Sequence, residues 1–176
     1  FFSILSAMQF ESPLVLSAVA AACVAGVMLG LSTWRRPRPT CQYHVLRLCP
    51  GEDVKACLLR YIKAHNLNAV AVVTCVGSLQ RATLRLANAD RDNPNQIKTW
   101  DQRFEICSLV GTLGRGSCHL HMTIADADGQ CFGGHVVDGN LVFTTAEIVL
   151  VQLHDWVFER QYDSATGFPE LHPVTV

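Results

Sequence analysis

The sequence lacks several patterns that would indicate common functions. Its eight cysteines include no CxxC or other tight pair, whereas structural zinc sites usually bring cysteines together in such pairs. The glycine-rich stretch GTLGRGS (residues 111–117) is neither GxxxxGK[ST] nor GxGxxG. It lacks the lysine and the following helix that a phosphate cradle requires. We therefore predict a plain loop between strands at 111–117 and no cysteine-based zinc site.

Positive charge is also scarce in most of the chain. Three of the 14 basic residues, Arg35, Arg36 and Arg38, precede Cys41, and so does one of the 15 acidic residues, Glu11, which leaves 11 basic and 14 acidic residues from Cys41 onward. Nucleic-acid binding depends on Lys and Arg that neutralise phosphates, so it is not favoured here. The tract WRRPRPT lacks the glycine between arginines of an AT-hook, and we interpret residues 35–41 as a basic linker.

The N-terminal part is hydrophobic. Residues 14–31 form a stretch of 18 residues without a charge, close to the ~20 that a helix needs to cross a bilayer. We predict a transmembrane signal anchor at 12–34, with the domain on the cytosolic side because arginines flank its C-terminal end. A cleaved targeting peptide, which would want basic residues in 1–13, and a buried or disordered tail on a cytosolic protein are the alternatives. Because the first Met is Met8, we interpret 1–11 as an N-terminal extension or fragment end.

The remaining residues predict one compact α/β domain of the α+β type, spanning 42–160. Its expected elements are a strand at 42–48, a helix from Val54 to about His65, strands at 69–76 and 82–87, a polar loop at 88–102, and extended segments at 103–113, 118–125, 130–137 and 140–153. Four extended segments in succession, without helices for parallel crossovers, favour a largely antiparallel sheet packed with one main helix. Residues 161–176 read as a C-terminal tail of surface strand or coil.

The stretch HLHMTIADADGQCFGGHV (119–136) contains three of the seven histidines. His119 and His121 share one face of a strand, about 6.6 Å apart along it. His135 reaches the same face only if the hairpin loop has three residues, with Gly129 at positive φ, or if Gly133-Gly134 form a bulge; a two-residue turn at Asp128-Gly129 would turn it away. Three histidines with an open fourth position are typical of catalytic zinc, whereas an ordinary polar hairpin is the alternative.

The other histidines have weaker cases as ligands. His44 lies in the first predicted strand and His65 at the end of the helix, where a cation favours the helix dipole. His154 and His172 have no partner in the sequence. We interpret all four as structural or solvated residues.

The motifs resemble a known family once they are taken in order. RFEICSLVGTL (103–113), the histidine stretch and DGNLVFTTAEIVLVQL (138–153) resemble the PPC domain, the plant and prokaryote conserved domain, over about 42–160. The resemblance implies a curved, largely antiparallel sheet, a homotrimer, and a metal ion, zinc, on His119, His121 and His135. Stand-alone members have these histidines, whereas plant members lack them and work as DNA-associated scaffolds. The hydrophobic N-terminal segment departs from both types.

Two functions follow as hypotheses. The first is a metal-dependent enzyme, a lyase or hydrolase, whose ion polarises a carbonyl or activates water on a small molecule. Glu147 and Glu105 are candidate acid or base residues and Arg115 a candidate for a substrate carboxylate, with salt bridges or turn contacts as the alternative for the glutamates. The second is a non-catalytic trimeric interaction module with a structural metal, in which SLVGTL helps to form subunit contacts. Chromatin binding would have only the tract Arg35–Arg38.

Overall fold

The computed structural model describes residues 40–87, 92–93 and 96–176. Within these residues the chain forms one α-helix and nine β-strands. The helix is α1 (Val54–Ala64). The strands are β1 (Cys41–Leu48), β2 (Val70–Arg85), β3 (Ile97–Trp100), β4 (Phe104–Gly114), β5 (Ser117–Ala125), β6 (Cys131–Val136), β7 (Leu141–Leu153), β8 (Trp156–Asp163) and β9 (Phe168–Thr175).

The strands form one large sheet and a separate hairpin. The large sheet has the order β1-β7-β2-β4-β5-β6, with β3 beside β2, and all its pairings are antiparallel. Strands β8 and β9 pair only with each other. A largely antiparallel sheet with one helix is what the spacing of the extended segments predicted.

The sheet curves until its far edge returns to its centre. The end of β2 pairs with β6, through Leu84 with Val136 and Arg85 with His135, so that β2, β4, β5 and β6 close into a ring. Alternate residues of β5, Leu120, Met122 and Ile124, are buried. The intervening residues of β5 therefore point away from the core, because successive side chains of a strand lie on opposite faces.

The helix is joined to the sheet at its first turn. Asp53 is the N-cap, and one oxygen of its carboxylate accepts a hydrogen bond from the backbone N–H of Ala56 at 2.9 Å. The other oxygen accepts from the backbone N–H groups of Gly139 and Asn140 at 2.7 and 3.1 Å. A capping side chain usually satisfies only the helix's own free N–H groups. Asp53 also holds the connection between β6 and β7.

Asn140 holds the same connection against β2. It is fully buried, and its amide group accepts from Thr83 N–H at 3.0 Å and donates to the carbonyl groups of Thr83 and Val137 at 3.0 and 2.7 Å. A buried amide is stable only when its donors and acceptors are paired. These bonds keep the end of β6 next to the end of β2.

Several sequence expectations differ from the structure. Two strands were predicted at 69–76 and 82–87, but β2 runs without interruption from Val70 to Arg85. The expected break at Gly77-Ser78 is bridged because Ser78 is buried and its Oγ lies 2.7 Å from Thr144 Oγ1 on β7. Local turn-forming residues are overridden here by pairing on both sides of the strand.

The predicted loop 88–102 contains β3, which pairs with the end of β2. Trp100 anchors it, because its ring lies 5.5 Å from that of Phe132 and 6.2 Å from that of Phe104. The predicted loop 111–117 is also shorter than expected, since β4 extends to Gly114 and β5 begins at Ser117. Only Arg115-Gly116 remain as the turn.

The C-terminal tail, predicted as surface strand or coil, contains the end of β8 and the whole of β9, which pair as a hairpin. The expected domain boundary at residue 160 lies within β8. No helix within 40–87, 92–93 and 96–176 is long and apolar enough to cross a bilayer. The predicted anchor at 12–34, the extension at 1–11 and the linker up to residue 39 lie outside the described residues.

Candidate metal centre

The loop between β5 and β6 sets the register of the histidines. Ala125 pairs with Cys131 and His121 pairs with His135. The loop is closed by hydrogen bonds between Asp126 N–H and the Gln130 carbonyl, 3.1 Å, and between Gly129 N–H and the Asp126 carbonyl, 3.0 Å. Gly129 has a φ of 76°, a conformation that glycine adopts without steric cost. Because Asp126 and Gln130 are joined by a backbone hydrogen bond, the loop consists of Ala127, Asp128 and Gly129, as predicted. The β5–β6 pairing contains no bulge.

This register brings the three imidazoles together. One nitrogen from each of His119, His121 and His135 lies within 4.8 Å of the other two. The Nε2 atoms of His119 and His121 are 3.2 Å apart. Two nitrogen ligands of a tetrahedral zinc ion, each about 2.0–2.1 Å from it, lie about 3.3 Å apart. The spacing of His119 and His121 therefore matches that of two ligands of one metal ion, and His135 lies near enough to be a third.

The environment of the cluster favours the uncharged form of two of its imidazoles, those of His119 and His135. Burial lowers the pKa of His135 to about 4, and the positive charge of Arg85 acts in the same direction. Burial also lowers the pKa of His119, and so does Arg160. Neutral imidazole is the form that binds metal ions. Nδ1 of His135 is buried without a hydrogen-bond partner among the described residues, which is a costly arrangement for a polar atom.

Two cavities adjoin the cluster. The first, of about 490 Å³, is lined by His121 and His135 together with residues at the ends of β2 and β6. The second, of about 450 Å³, is lined by His119 and His135 and by residues of β2, β5, β8 and β9. Both sizes lie within the range of small-molecule sites. The histidine cluster therefore borders two cavities that are large enough for a small ligand.

The second cavity contains charged residues that sequence reasoning missed. They are Arg85 at the end of β2, Arg160 on β8 and Glu170 on β9. Arg160 donates a hydrogen bond to Thr112 Oγ1 at 3.1 Å, and Thr112 is the strand partner of His119. No spacing in the sequence links these residues, because only the closure of the sheet and the packing of the hairpin bring them to the histidines.

The structure places the predicted catalytic residues away from the histidines of the same chain. Glu105 and Glu147 are exposed and line neither cavity. Glu105 is five residues along β4 from Val110, the partner of His121, or about 16 Å. Glu147 lies on β7, which β2 and β4 separate from β5. Arg115 Nη1 is 3.1 Å from Glu159 Oε1.

The histidines interpreted as structural or solvated lie outside the cluster. Nδ1 of His44 is 3.2 Å from the Tyr61 hydroxyl, and the ring of His65 lies 4.2 Å from that of Tyr61.

A larger cavity, of about 960 Å³, lies between the helix and the β4–β5 turn, with Arg60, Lys63 and Arg115 at its edge. It contains none of the three clustered histidines, and we do not associate it with the metal centre.

Comparison with protein families finds one match over most of the chain. The sequence model of the Plants and Prokaryotes Conserved (PCC) domain, the family named above as PPC, matches residues 35–154. The match ends before the β8–β9 hairpin.

Two curated relatives are similar to the chain. A protein from Synechococcus named "Bifunctional protein GlmU" is 43% identical over 153 residues, which cover 84% of this chain and 23% of that protein. "AT-hook motif nuclear-localized protein 20" from Arabidopsis thaliana is 30% identical over 138 residues, covering 73% of this chain and 47% of that protein. The chain thus spans less than half the length of either relative.

Two solved structures have similar folds. A hypothetical protein from Salmonella is 33% identical, with a TM-score of 0.72 over 80% of this chain and 99% of that one. A protein from Archaeoglobus fulgidus described as metal-containing is 23% identical, with a TM-score of 0.66 over 74% of this chain and 93% of that one.

Proposed function

Because this chain belongs to the Plants and Prokaryotes Conserved domain family, we propose that it is a zinc-binding protein of the three-histidine type that binds or transforms a small molecule. The convergence of His119, His121 and His135 within 4.8 Å carries the proposal. Three imidazole ligands on a pair of neighbouring strands would leave the fourth tetrahedral position of a zinc ion for water or a ligand. The metal-containing description of the Archaeoglobus relative agrees with a metal in this fold.

The two cavities favour a ligand-binding centre over a closed structural one. A structural zinc site has four protein ligands and no open position, whereas within the described residues the metal-ligand cluster consists of three histidines. A bound ion would supply a Lewis acid or an activated water. The residues of the chain would hold the ion and exclude or admit ligands through the cavities. A lyase or hydrolase is the reaction class that we propose.

A homotrimer is part of the proposal. Tyr43, Val45 and Val76 lie on the large sheet and are 65%, 76% and 54% exposed. Exposed apolar surface is one mark of a contact site for another protein. A second copy of the chain would cover it. The non-catalytic module remains the alternative, and a nucleic-acid partner is less favoured because acidic residues outnumber basic ones, 14 to 11, from Cys41 onward.

Metal analysis of the purified full chain tests the metal centre. After dialysis we expect about one zinc ion per chain, as three clustered histidines would bind, measured by plasma mass spectrometry. His119→Ala and His135→Ala should lose the ion. His65→Ala is the matched control, since His65 is exposed and outside the cluster, and it should retain zinc. Wild-type protein that holds no metal, or a His135→Ala variant that keeps a full equivalent, would refute the site.

A further inference from the structure

The cavity beside His119 has a charge pattern that indicates its ligand. It has a volume of about 450 Å³, and two guanidinium groups, Arg85 and Arg160, line it together with the imidazoles of His119 and His135. We propose that this cavity is a subsite for a small organic monocarboxylate, whose carboxylate group the two arginines bind. The proposal rests on the proposed metal centre in one respect: the end of the ligand away from the carboxylate would face the ion.

The two arginines have N–H donors that are available to a ligand. Within 40–87, 92–93 and 96–176 neither Arg85 nor Arg160 forms a salt bridge with a carboxylate. Arg160 donates one hydrogen bond to the neutral hydroxyl of Thr112, and Arg85 lies over the ring of Phe168, 5.7 Å from its centre. A guanidinium group has five N–H donors in a planar fork that fits a carboxylate. Both side chains are thus positioned by neutral contacts and keep their charge available.

The two arginines belong to different parts of the fold. Arg85 is the strand partner of His135 in the large sheet, and Arg160 belongs to β8 of the separate hairpin. Both arginines line the same cavity as His119, a ligand of the proposed ion. An anion between them would be attracted by two guanidinium groups and by the ion, without displacing an internal acidic partner.

Glu170, the one acidic residue among the described residues that line the cavity, limits the charge of the ligand. Glu170 is partly buried, lines the same cavity and acts on the pKa of His119 in the direction opposite to the arginines. Its carboxylate repels a second negative charge on the ligand, because like charges at short range are unfavourable. A monoanion is therefore preferred to a dianion such as phosphate.

The apolar wall indicates an organic ligand. Phe168 and Pro169 also line the cavity, and they would pack against a hydrocarbon part of the ligand. Together with Arg160 and Glu170 they belong to the β8–β9 hairpin, which lies beyond the region matched by the family model, residues 35–154. The selectivity of the subsite is thus determined by an element outside the matched domain.

Calorimetric titration with benzoate tests the subsite, on the full chain both loaded with zinc and free of metal. We expect saturable binding to the loaded protein, and a loss of affinity of about tenfold or more in Arg160→Gln, since a hydrogen bond between charged groups contributes at least that much. Arg115→Gln is the matched control, because Arg115 pairs with Glu159 outside this cavity, and it should bind benzoate as wild type does. Glu170→Gln should bind benzoate more tightly and should gain affinity for inorganic phosphate.

The outcomes separate the two proposals. A protein that holds no zinc but binds benzoate in an Arg160-dependent way would refute the metal centre and keep the subsite. A zinc-loaded protein whose benzoate affinity is unchanged in Arg160→Gln, or which binds no benzoate, would refute the subsite and keep the metal centre. Tighter binding of phosphate than of benzoate by wild type would overturn the assignment of a monocarboxylate.

Discussion

At the residue scale, three properties of His135 agree with its proposed role as a metal ligand. It is half-buried, its Nδ1 has no hydrogen-bond partner among the described residues, and its pKa is lowered to about 4, first by burial and then by Arg85. A polar group that only stabilised a hairpin would be paired or solvated. The ordinary polar hairpin is therefore the weaker explanation of this residue.

The lowered pKa of His135 predicts how the metal-free protein responds to acid. Between the usual histidine value of 6.5 and about 4, the unfolded chain binds a proton at this position and the folded chain does not. The free energy of unfolding should therefore fall as the pH drops through this range. Urea denaturation at about pH 7.5 and about pH 5 measures the loss. In His135→Gln the loss should be smaller, because the titrating group is gone; an equal loss in both proteins would contradict the prediction.

At the scale of elements, the approach of β6 to β2 depends on one glycine. A Cβ added to Gly134 would lie 2.6 Å from the carbonyl oxygen of Arg85, whereas a Cβ on Gly133 would come no closer than 3.4 Å to Met122. The sequence GGH therefore serves the close pairing of two strands and not a bulge. The pairing at Gly134 also positions the two neighbours that matter at the site, Arg85 and His135.

Substitution of the two glycines should give different results. Gly134→Ala must move β6 or β2 to relieve the clash, so we expect it to lower the free energy of unfolding by about 1–3 kcal/mol, as overpacking does, and to weaken zinc binding. Gly133→Ala is the control, and both properties should stay close to wild type. Thermal unfolding and zinc titration of both variants provide the measurements. Equal behaviour of the two variants would mean that the close approach at Gly134 is not required.

At the scale of the whole molecule, the exposed apolar side chains of the sheet should be buried between copies of the chain. A charged residue in such an interface is costly because it loses its hydration. We expect wild type to sediment as a trimer and both Val45→Glu and Val76→Glu to sediment as smaller species. Val174→Glu, on the β8–β9 hairpin, is the control and should leave the assembly intact. A monomeric wild type at micromolar concentration would contradict the proposed assembly.

The fold could be predicted from the sequence wherever local signals agreed with the pairing of strands. The helix begins at Val54, as predicted, directly after its cap Asp53. The extended segments that correspond to β4 to β7 are also confirmed, because turn residues mark their boundaries. The prediction failed at Gly77-Ser78, where pairing on two sides carries β2 through a local break signal. For the C-terminal hairpin the sequence predicted only surface strand or coil, because the segment contains turn residues but no apolar alternation strong enough to identify two paired strands.

The sequence by itself determined the local part of the site. Strand alternation put His119 and His121 on one face, and the length of the ADADG turn decided whether His135 would join them, because both effects act over a few residues. Only the tertiary structure decided what surrounds the histidines. Arg85, Arg160 and Glu170 are brought together by the return of β6 to β2 and by the packing of the hairpin. Such contacts depend on how distant surfaces pack, which no short pattern of residues encodes.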